Sequence, residues 1–360
     1  MPSPNFPNLP IRITKLSDIW MVRDDLLPFG FGTKWRKVSG IVEYLQKNQI
    51  KKVLIWGALH GNYLASFTTI LRYFGFQVET ISYSKDPKLK TYNERLVNLH
   101  SHTIHCYANR KEAEQSFSER TKTFEGLCLQ EFGIHPAQSN GLRPFWQQLE
   151  KKIHEILNGI KLESKRDERF YHTNKNHANM ATLVLEIGSG ASFLSAYDYF
   201  RDSSIFVLGV MVGEKKATWI PKIESLQKKL GLKIQTISQE MILNFTEKTS
   251  PNENISGISN SQRSPFTNNT TRFAKTRSKD IQSIQEFYTS TNIILEPIYS
   301  AKSLLQFVEI QNITGTFPSE PKLNNKNENF PNFNQNLPLF YLHQGGHVQH
   351  LDLILEVFFK

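Results

Sequence analysis

Three short stretches of this sequence hold chemistry-bearing residues, each where an apolar run gives way to a helix-like segment. The first is Gly188-Ser189-Gly190-Ala191-Ser192, directly after the apolar run of residues 182–187. Glycines let the backbone turn tightly and approach a ligand, and the helix that follows presents its positive N-terminal end. The stretch therefore reads as a phosphate cradle. It has neither the lysine of a P-loop nor the spacing of a dinucleotide fingerprint, and a purely structural glycine turn is the competing reading. The second is Lys34, which follows the glycine-rich "PFGFGT" and opens a helix-like segment. A lysine beside a helix N-terminus and other cations is disfavoured as an ammonium, so its amine can act as a nucleophile. The plain alternative is an ordinary exposed lysine. Arg36 and Lys37 beside it read as the solvated face of that helix. The third is "GALHGNY", residues 57–63, where His60, Asn62 and the backbone N–H groups stand ready for an anion or a ring hydroxyl. Asn62 acting only as a helix N-cap explains the same pattern equally well. Two further stretches carry polar groups at turns: Tyr299-Ser300 after Pro297, and "HQGG" at 343–346.

These stretches need a frame that brings them together. Strand-like runs alternate with helix-like ones, which is the pattern of an α/β chain with mainly parallel sheets. "KKVLIWGALHGN" reads as a strand and loop, "YLASFTTILRYFGF" as a helix stopped at Gly75, and "QVETISY" as the next strand. A strand, turn and helix return at 182–200, "SIFVLGVMVG" is another buried strand, and "PLFYLHQGG" is the last. Ligands in open α/β sheets bind beyond the carboxyl ends of strands, where every one of these loops falls. Residues 246–280 and 316–338 are polar, rich in asparagine and serine or proline, and read as mobile surface insertions.

Composition excludes several function classes. With 360 residues, 39% hydrophobic and 21% charged, the chain has ample material for a folded core. The formal charge of +10 is spread among acids, with no basic helix or zinc-finger spacing, so it reads as a solvated surface rather than a nucleic-acid interface. No apolar run approaches the roughly 20 residues of a membrane span. Only two cysteines, Cys106 and Cys128, and an N-terminus unlike a signal peptide, suit a soluble cytoplasmic protein. The histidine clusters "HTIHC" and "HQGGHVQH" lack regular metal-ligand spacing, so no metal is expected.

Taken in order, "RDDL", "GTKWRK", "GALHGN", "GSGAS", "EPIYSAK" and "HQGG" resemble the family of 1-aminocyclopropane-1-carboxylate deaminase and D-cysteine desulfhydrase. This family belongs to the tryptophan synthase β-like, fold type II, pyridoxal-phosphate enzymes. The resemblance spans most of the chain. It implies two three-layer α/β domains with mainly parallel sheets and the cofactor in the cleft between them. The large domain would comprise 1–37 and 149–360, and the small inserted one 38–148. It implies that Lys34 bonds pyridoxal 5'-phosphate covalently and later moves the substrate proton. Asn62 would contact the cofactor's phenolic oxygen, and Gly188, Ser189, Gly190, Ala191 and Ser192 would hold its phosphate. Tyr299 would stand near the reacting carbon, and Ser300 would face the ring nitrogen. Substrate would meet His60, Gly61, Tyr63 and Gln344. The partner implied is a small amino acid, and the assembly a homodimer.

A hydroxyl at the ring nitrogen leaves it neutral, which suffices for removing an α proton and expelling a β leaving group. A carboxylate there would deepen the electron sink for ring opening. Ser300 thus favours β-elimination, with D-cysteine the substrate that the resemblance suggests. The chain departs from the family pattern at Thr33, Ala58, His60, Gly61 and Ala301. The family's serine is Gly61 here, which keeps a backbone donor and loses a hydroxyl. A relative that keeps the fold and works as a binding protein is the competing function.

Overall fold

The computed structural model describes residues 9–164, 180–244, 278–304 and 337–346. Among these described residues, ten strands form two sheets. β1 (Ile13–Leu16), β2 (Ile19–Arg23), β7 (Ala181–Ile187), β8 (Ile205–Met211), β9 (Ile242–Asn244) and β10 (Leu339–His343) make a six-stranded sheet in the order β1-β2-β10-β7-β8-β9. Only the β1–β2 pair is antiparallel. β3 (Lys52–Ala58), β4 (Gln77–Tyr83), β5 (Thr103–Tyr107) and β6 (Leu127–Leu129) make a parallel four-stranded sheet in the order β5-β4-β3-β6.

Both sheets are covered on both faces, so their central strands are apolar without alternation. Every residue of β7, "ATLVLEI", is buried. Its odd-numbered side chains join a core with Phe145, Trp146 and Leu149 of α5 (Pro136–Ser164) and Phe193 and Leu194 of α6 (Ala191–Phe200). Its other face packs toward Ile284 of α9 (Ser278–Thr291) and Leu304. In the small sheet, Val53 and Ile55 meet α1 (Lys34–Lys47) and α2 (Asn62–Tyr73), with Val97 of α3 (Tyr92–His100). Leu54 and Trp56 meet Phe117 of α4 (Arg110–Thr121). α7 (Lys216–Trp219) and α8 (Ile223–Lys229) follow β8. Among the described residues, no helix is long and apolar enough to cross a membrane.

α1 and α5 tie the two sheets together, crossing at Gly40 and Gly141. A Cβ on Gly40 would lie 1.8 Å from the carbonyl oxygen of Ala137, so the backbones approach only because a side chain is missing there. The boundaries expected at 37/38 and 148/149 fall inside these two helices. Trp35 and the apolar residues of α1 belong to the core of the small sheet.

Strand and helix positions follow the sequence reading closely, with one shift at α2. Gly61, not Asn62, is its N-cap. Asn62 is the first helical residue, and its Oδ1 accepts from Asn93 Nδ2 at 3.0 Å. Most of the two polar stretches, 246–280 and 316–338, lies outside the described residues. The helix α9 begins within the first of them.

Candidate active site

Strand order sets the site. β10 lies between β2 and β7, so the loop after the last strand emerges beside two loops that are distant in sequence. The carboxyl ends of these parallel strands face the end of β3 across a cavity of about 650 Å³. Lys34, Lys37, Gly61, Asn62, Tyr63, Glu186, Gly188, Ser189, Gly190, Ser192, Trp219, Tyr299 and Gln344 all line it.

Lys34 is placed by two interlocking glycine loops. Gly346 N donates to Gly30 O at 2.6 Å and Thr33 N to Gln344 O at 3.1 Å, so "GFGT" and "HQGG" brace each other beneath the start of α1. The turn before the helix is fixed by Asp24, which accepts from Thr33 Oγ1 at 3.0 Å and from Arg36 through Nε and Nη2, the latter at 2.7 Å. Arg36 is 4% exposed and its guanidinium sits 4.0 Å from the Phe145 ring centre. The expectation of a solvated face for Arg36 and Lys37 is therefore corrected: the first turns of α1 lie between α5 and the cavity, so these two side chains turn inward. Lys37, one turn on from Lys34, lines the cavity.

Burial pushes the Lys34 amine's pKa down, opposed by the carboxylates of Glu296 and Glu186. The pKa of Lys37 falls to about 7, through burial and then the charge of Lys34. Loss of water thus lowers the pKa of both amines, the direction that favours a nucleophilic lysine.

Glu186 is a site residue that the sequence reading did not pick out. It is 5% exposed, near the end of β7, and its Oε1 accepts from Tyr341 Oη at 2.5 Å and Ser303 Oγ at 3.2 Å. Burial raises its pKa to about 8. The signal was present: an acid inside the apolar run "TLVLEIG" has to serve a buried purpose. Glu296 is fully buried and caps the turn before Tyr299, its Oε2 accepting from Ile298 N at 3.0 Å and Tyr299 N at 2.5 Å. Tyr299 then lies over the glycine loop, where a Cβ on Gly188 would come 3.2 Å from its Cε1. Burial, Glu296 and Glu186 all hold its hydroxyl protonated. Gln344 Nε2 donates to Glu186 O at 2.9 Å, and Tyr63 packs edge-on to Phe67.

Three expected site residues do not line the cavity. His60 has Nδ1 at 2.9 Å from Thr91 Oγ1 and Nε2 at 3.0 Å from Ser84 Oγ, so its ring braces the loops of the small sheet. Ser300 turns its hydroxyl to its own turn, accepting from Glu296 N at 2.7 Å and donating to Glu296 O at 3.3 Å. Ala191 is buried in the core beneath α6.

The glycine loop fits a phosphate. Gly190, with φ of +87°, is the N-cap of α6, whose first N–H groups have no partner within the helix. Ser192 Oγ and Trp219 Nε1 are buried beside it with no hydrogen-bond partner among the described residues. A buried polar group left unpaired costs about 1–3 kcal/mol, which an anion at this place offsets. The opposite wall is an ion pair: Arg110 Nη2 donates to Glu131 Oε2 at 2.7 Å and Tyr83 Oη to its Oε1 at 2.9 Å. The arrangement suits a compound bearing both a phosphate and a group that an amine attacks.

No family model and no curated protein matches the chain. Solved structures do resemble it. An ACC deaminase homologue superposes with a TM-score of 0.62 at 16% identity, over 94% of this chain and 88% of that one. An O-ureido-L-serine synthase gives 0.55 at 9% identity, over 96% and 92%. The processed form of threonine deaminase isoform 2 from Solanum lycopersicum gives 0.53 at 10% identity, over 97% and 82%. At these identities the likeness is one of fold.

Proposed function

We propose that this chain is a pyridoxal-phosphate-dependent lyase or deaminase acting on a small amino acid. One observation carries the reading: Lys34 and the glycine loop line the same cavity, and two buried donors beside that loop, Ser192 Oγ and Trp219 Nε1, lack acceptors among the described residues. The fold likeness to amino-acid deaminases and a synthase supports it.

When bound, pyridoxal phosphate supplies an electron sink for the charge left on the substrate's α-carbon. The chain's own residues do the rest. The start of α6 and Ser192 would hold the phosphate, and the desolvated Lys34 would supply the amine for the cofactor's aldehyde and the base for the substrate's α proton. Asn62 orients the ring from the end of β3. Tyr299, neutral and half-buried over Gly188, would shield the reacting carbon from water. Gly61, Tyr63 and Gln344 border the space left for substrate.

The reaction we infer is β-elimination, with D-cysteine as substrate. The α proton passes to Lys34, the Cβ–S bond breaks, and D-cysteine and water become pyruvate, ammonia and hydrogen sulfide. A specific observation favours a second reaction. Ser300, the residue that argued for β-elimination, spends its hydroxyl on the backbone of Glu296, while a carboxyl group, Glu186, stands on the cavity wall. An acid in the cavity suits cyclopropane ring opening, which makes 1-aminocyclopropane-1-carboxylate the second substrate to assay. The resemblance also supports a homodimer, which sedimentation would test.

The test is turnover by the purified protein with added pyridoxal phosphate, beside Lys34→Ala. Sulfide and pyruvate from D-cysteine, lost in the variant, is the expected result. Release of 2-oxobutanoate from 1-aminocyclopropane-1-carboxylate would select the second reaction. Cofactor bound without turnover of D- or L-amino acids or of 1-aminocyclopropane-1-carboxylate would overturn both in favour of a binding protein.

A further inference from the structure

The indole of Trp219 belongs to the core around α6, yet packing leaves its N–H unexplained. It ends α7, is 2% exposed, and packs edge-on to Phe193, with ring centroids 6.1 Å apart. Its other side presses on the glycine loop: a Cβ on Gly190 would lie 2.5 Å from Cζ2 and 3.1 Å from Nε1. Any residue but glycine at 190 would thus separate the indole from the loop. A buried indole N–H normally finds an acceptor. This one has none among the described residues.

A second donor converges on the same place. Ser192, the second residue of α6, is 3% exposed, and its Oγ likewise has no partner among the described residues. Two unpaired side-chain donors from separate elements, α6 and α7, therefore flank one helix N-terminus that borders the cavity. α6 has ten residues, long enough for its unsatisfied N–H groups to act together on an anion. Lys37 and Lys229 line the same cavity and supply positive charge at longer range, whereas Lys222 on that wall is paired with Glu214.

We propose that Trp219 is an anion-binding residue, its indole N–H donating to an oxygen of a phosphate monoester held at the start of α6, with the Ser192 hydroxyl as a second donor. The proposal rests on the reading of the glycine loop as a cofactor-phosphate site and adds a contact from a different element. An indole N–H neither titrates nor carries charge. Trp219 therefore contributes a direction and a fixed distance to binding, while the lysines contribute its dependence on pH and salt. The segment from the end of β8 to α7 is tied to occupancy of the site through this one bond.

The test reads the indole N–H groups of the five tryptophans by ¹H–¹⁵N correlation, with Trp219 assigned by its loss in Trp219→Phe. Pyridoxal phosphate and inorganic phosphate are titrated separately. The expected result is a downfield movement of the Trp219 signal with either ligand, and affinity reduced about tenfold or more in Trp219→Phe, the loss of one bond to a charged acceptor. Phenylalanine keeps the contact with Phe193. Should that variant not fold, the Trp219 signal is assigned by its nuclear Overhauser contacts with the Phe193 ring and Ser192→Ala serves: its Trp219 signal still moves on titration, at weaker affinity. A Trp219 signal unmoved by saturating ligand, or full affinity in a folded Trp219→Phe, overturns the proposal. Cofactor attached at Lys34 with an unmoved indole removes this inference alone. Movement with inorganic phosphate, without attachment of pyridoxal phosphate, supports this inference and removes the cofactor reading.

Discussion

Gly32 and Gly345, more than 300 positions apart in sequence, stand back to back beneath Lys34. A Cβ on Gly345 would lie 2.6 Å from Gly32 Cα, and one on Gly32 would lie 1.8 Å from Gln344 O. Both have positive φ, +63° and +76°. Gly345→Ala is expected to combine a steric clash with a strained backbone and cost at least about 2 kcal/mol. Urea unfolding of the variant beside the parent measures it. A loss below half that value would mean that the loops do not hold each other as described.

The buried pair of Asp24 and Arg36 fixes the first turn of α1. Their side chains are 1% and 4% exposed, and Thr33 completes the cluster. Asp24→Asn leaves Arg36 as an uncompensated buried charge, so a loss of about 3–5 kcal/mol is expected. Thermal and urea unfolding would show it. A near-neutral result would return Arg36 to the solvated role that its sequence position suggested.

Glu186 carries a pH signature. Its pKa is raised from 4.5 to about 8 on folding, chiefly by burial. Between those values the folded chain keeps a proton that the unfolded chain has released, so stability falls as pH rises through that window. Its contribution is complete below about 4.5 and lost above about 8. Lys37 acts in the opposite sense. With its pKa lowered from 10.5 to about 7, the unfolded chain binds more protons between those values, and stability rises with pH there. Glu186→Gln is expected to abolish the fall between 4.5 and 8 and leave the Lys37-dependent rise. Unfolding free energies across pH 4–10 decide it, and an unchanged profile would contradict the assignment.

Much of this was legible in the sequence. β3, α2, β4, β7, α6, β8 and β10 stand where apolar runs and glycine breaks place them, because each owes its form to local pattern and burial together. The carboxyl-end position of the loops at 57–63 and 188–192 follows from the parallel sheets. What pattern did not show was the inward turn of charge. Arg36 and Lys37 read as solvent-facing because polarity normally marks the outer side of a helix. The first turns of α1 lie against α5 and the cavity, so that rule does not hold there, although it does at Glu43 and Lys47. Nothing in the sequence singles out Trp219, because its contact with Gly190 is one that only the tertiary structure makes. His60 and Ser300 fail in the converse way: their positions match a motif, but nearby hydroxyl and backbone partners claim their polar atoms.

The account stands or falls on which amine takes the cofactor, and Lys37 is a built-in control. It lines the same cavity one turn away, and burial lowers its pKa as well. The direct measurement is to incubate the protein with pyridoxal phosphate, reduce with borohydride, digest, and locate the modified peptide by mass spectrometry. The account predicts modification at Lys34, absent in Lys34→Ala and retained in Gly61→Ser. Modification at Lys37 or at surface lysines in its place, or none at all, would contradict it.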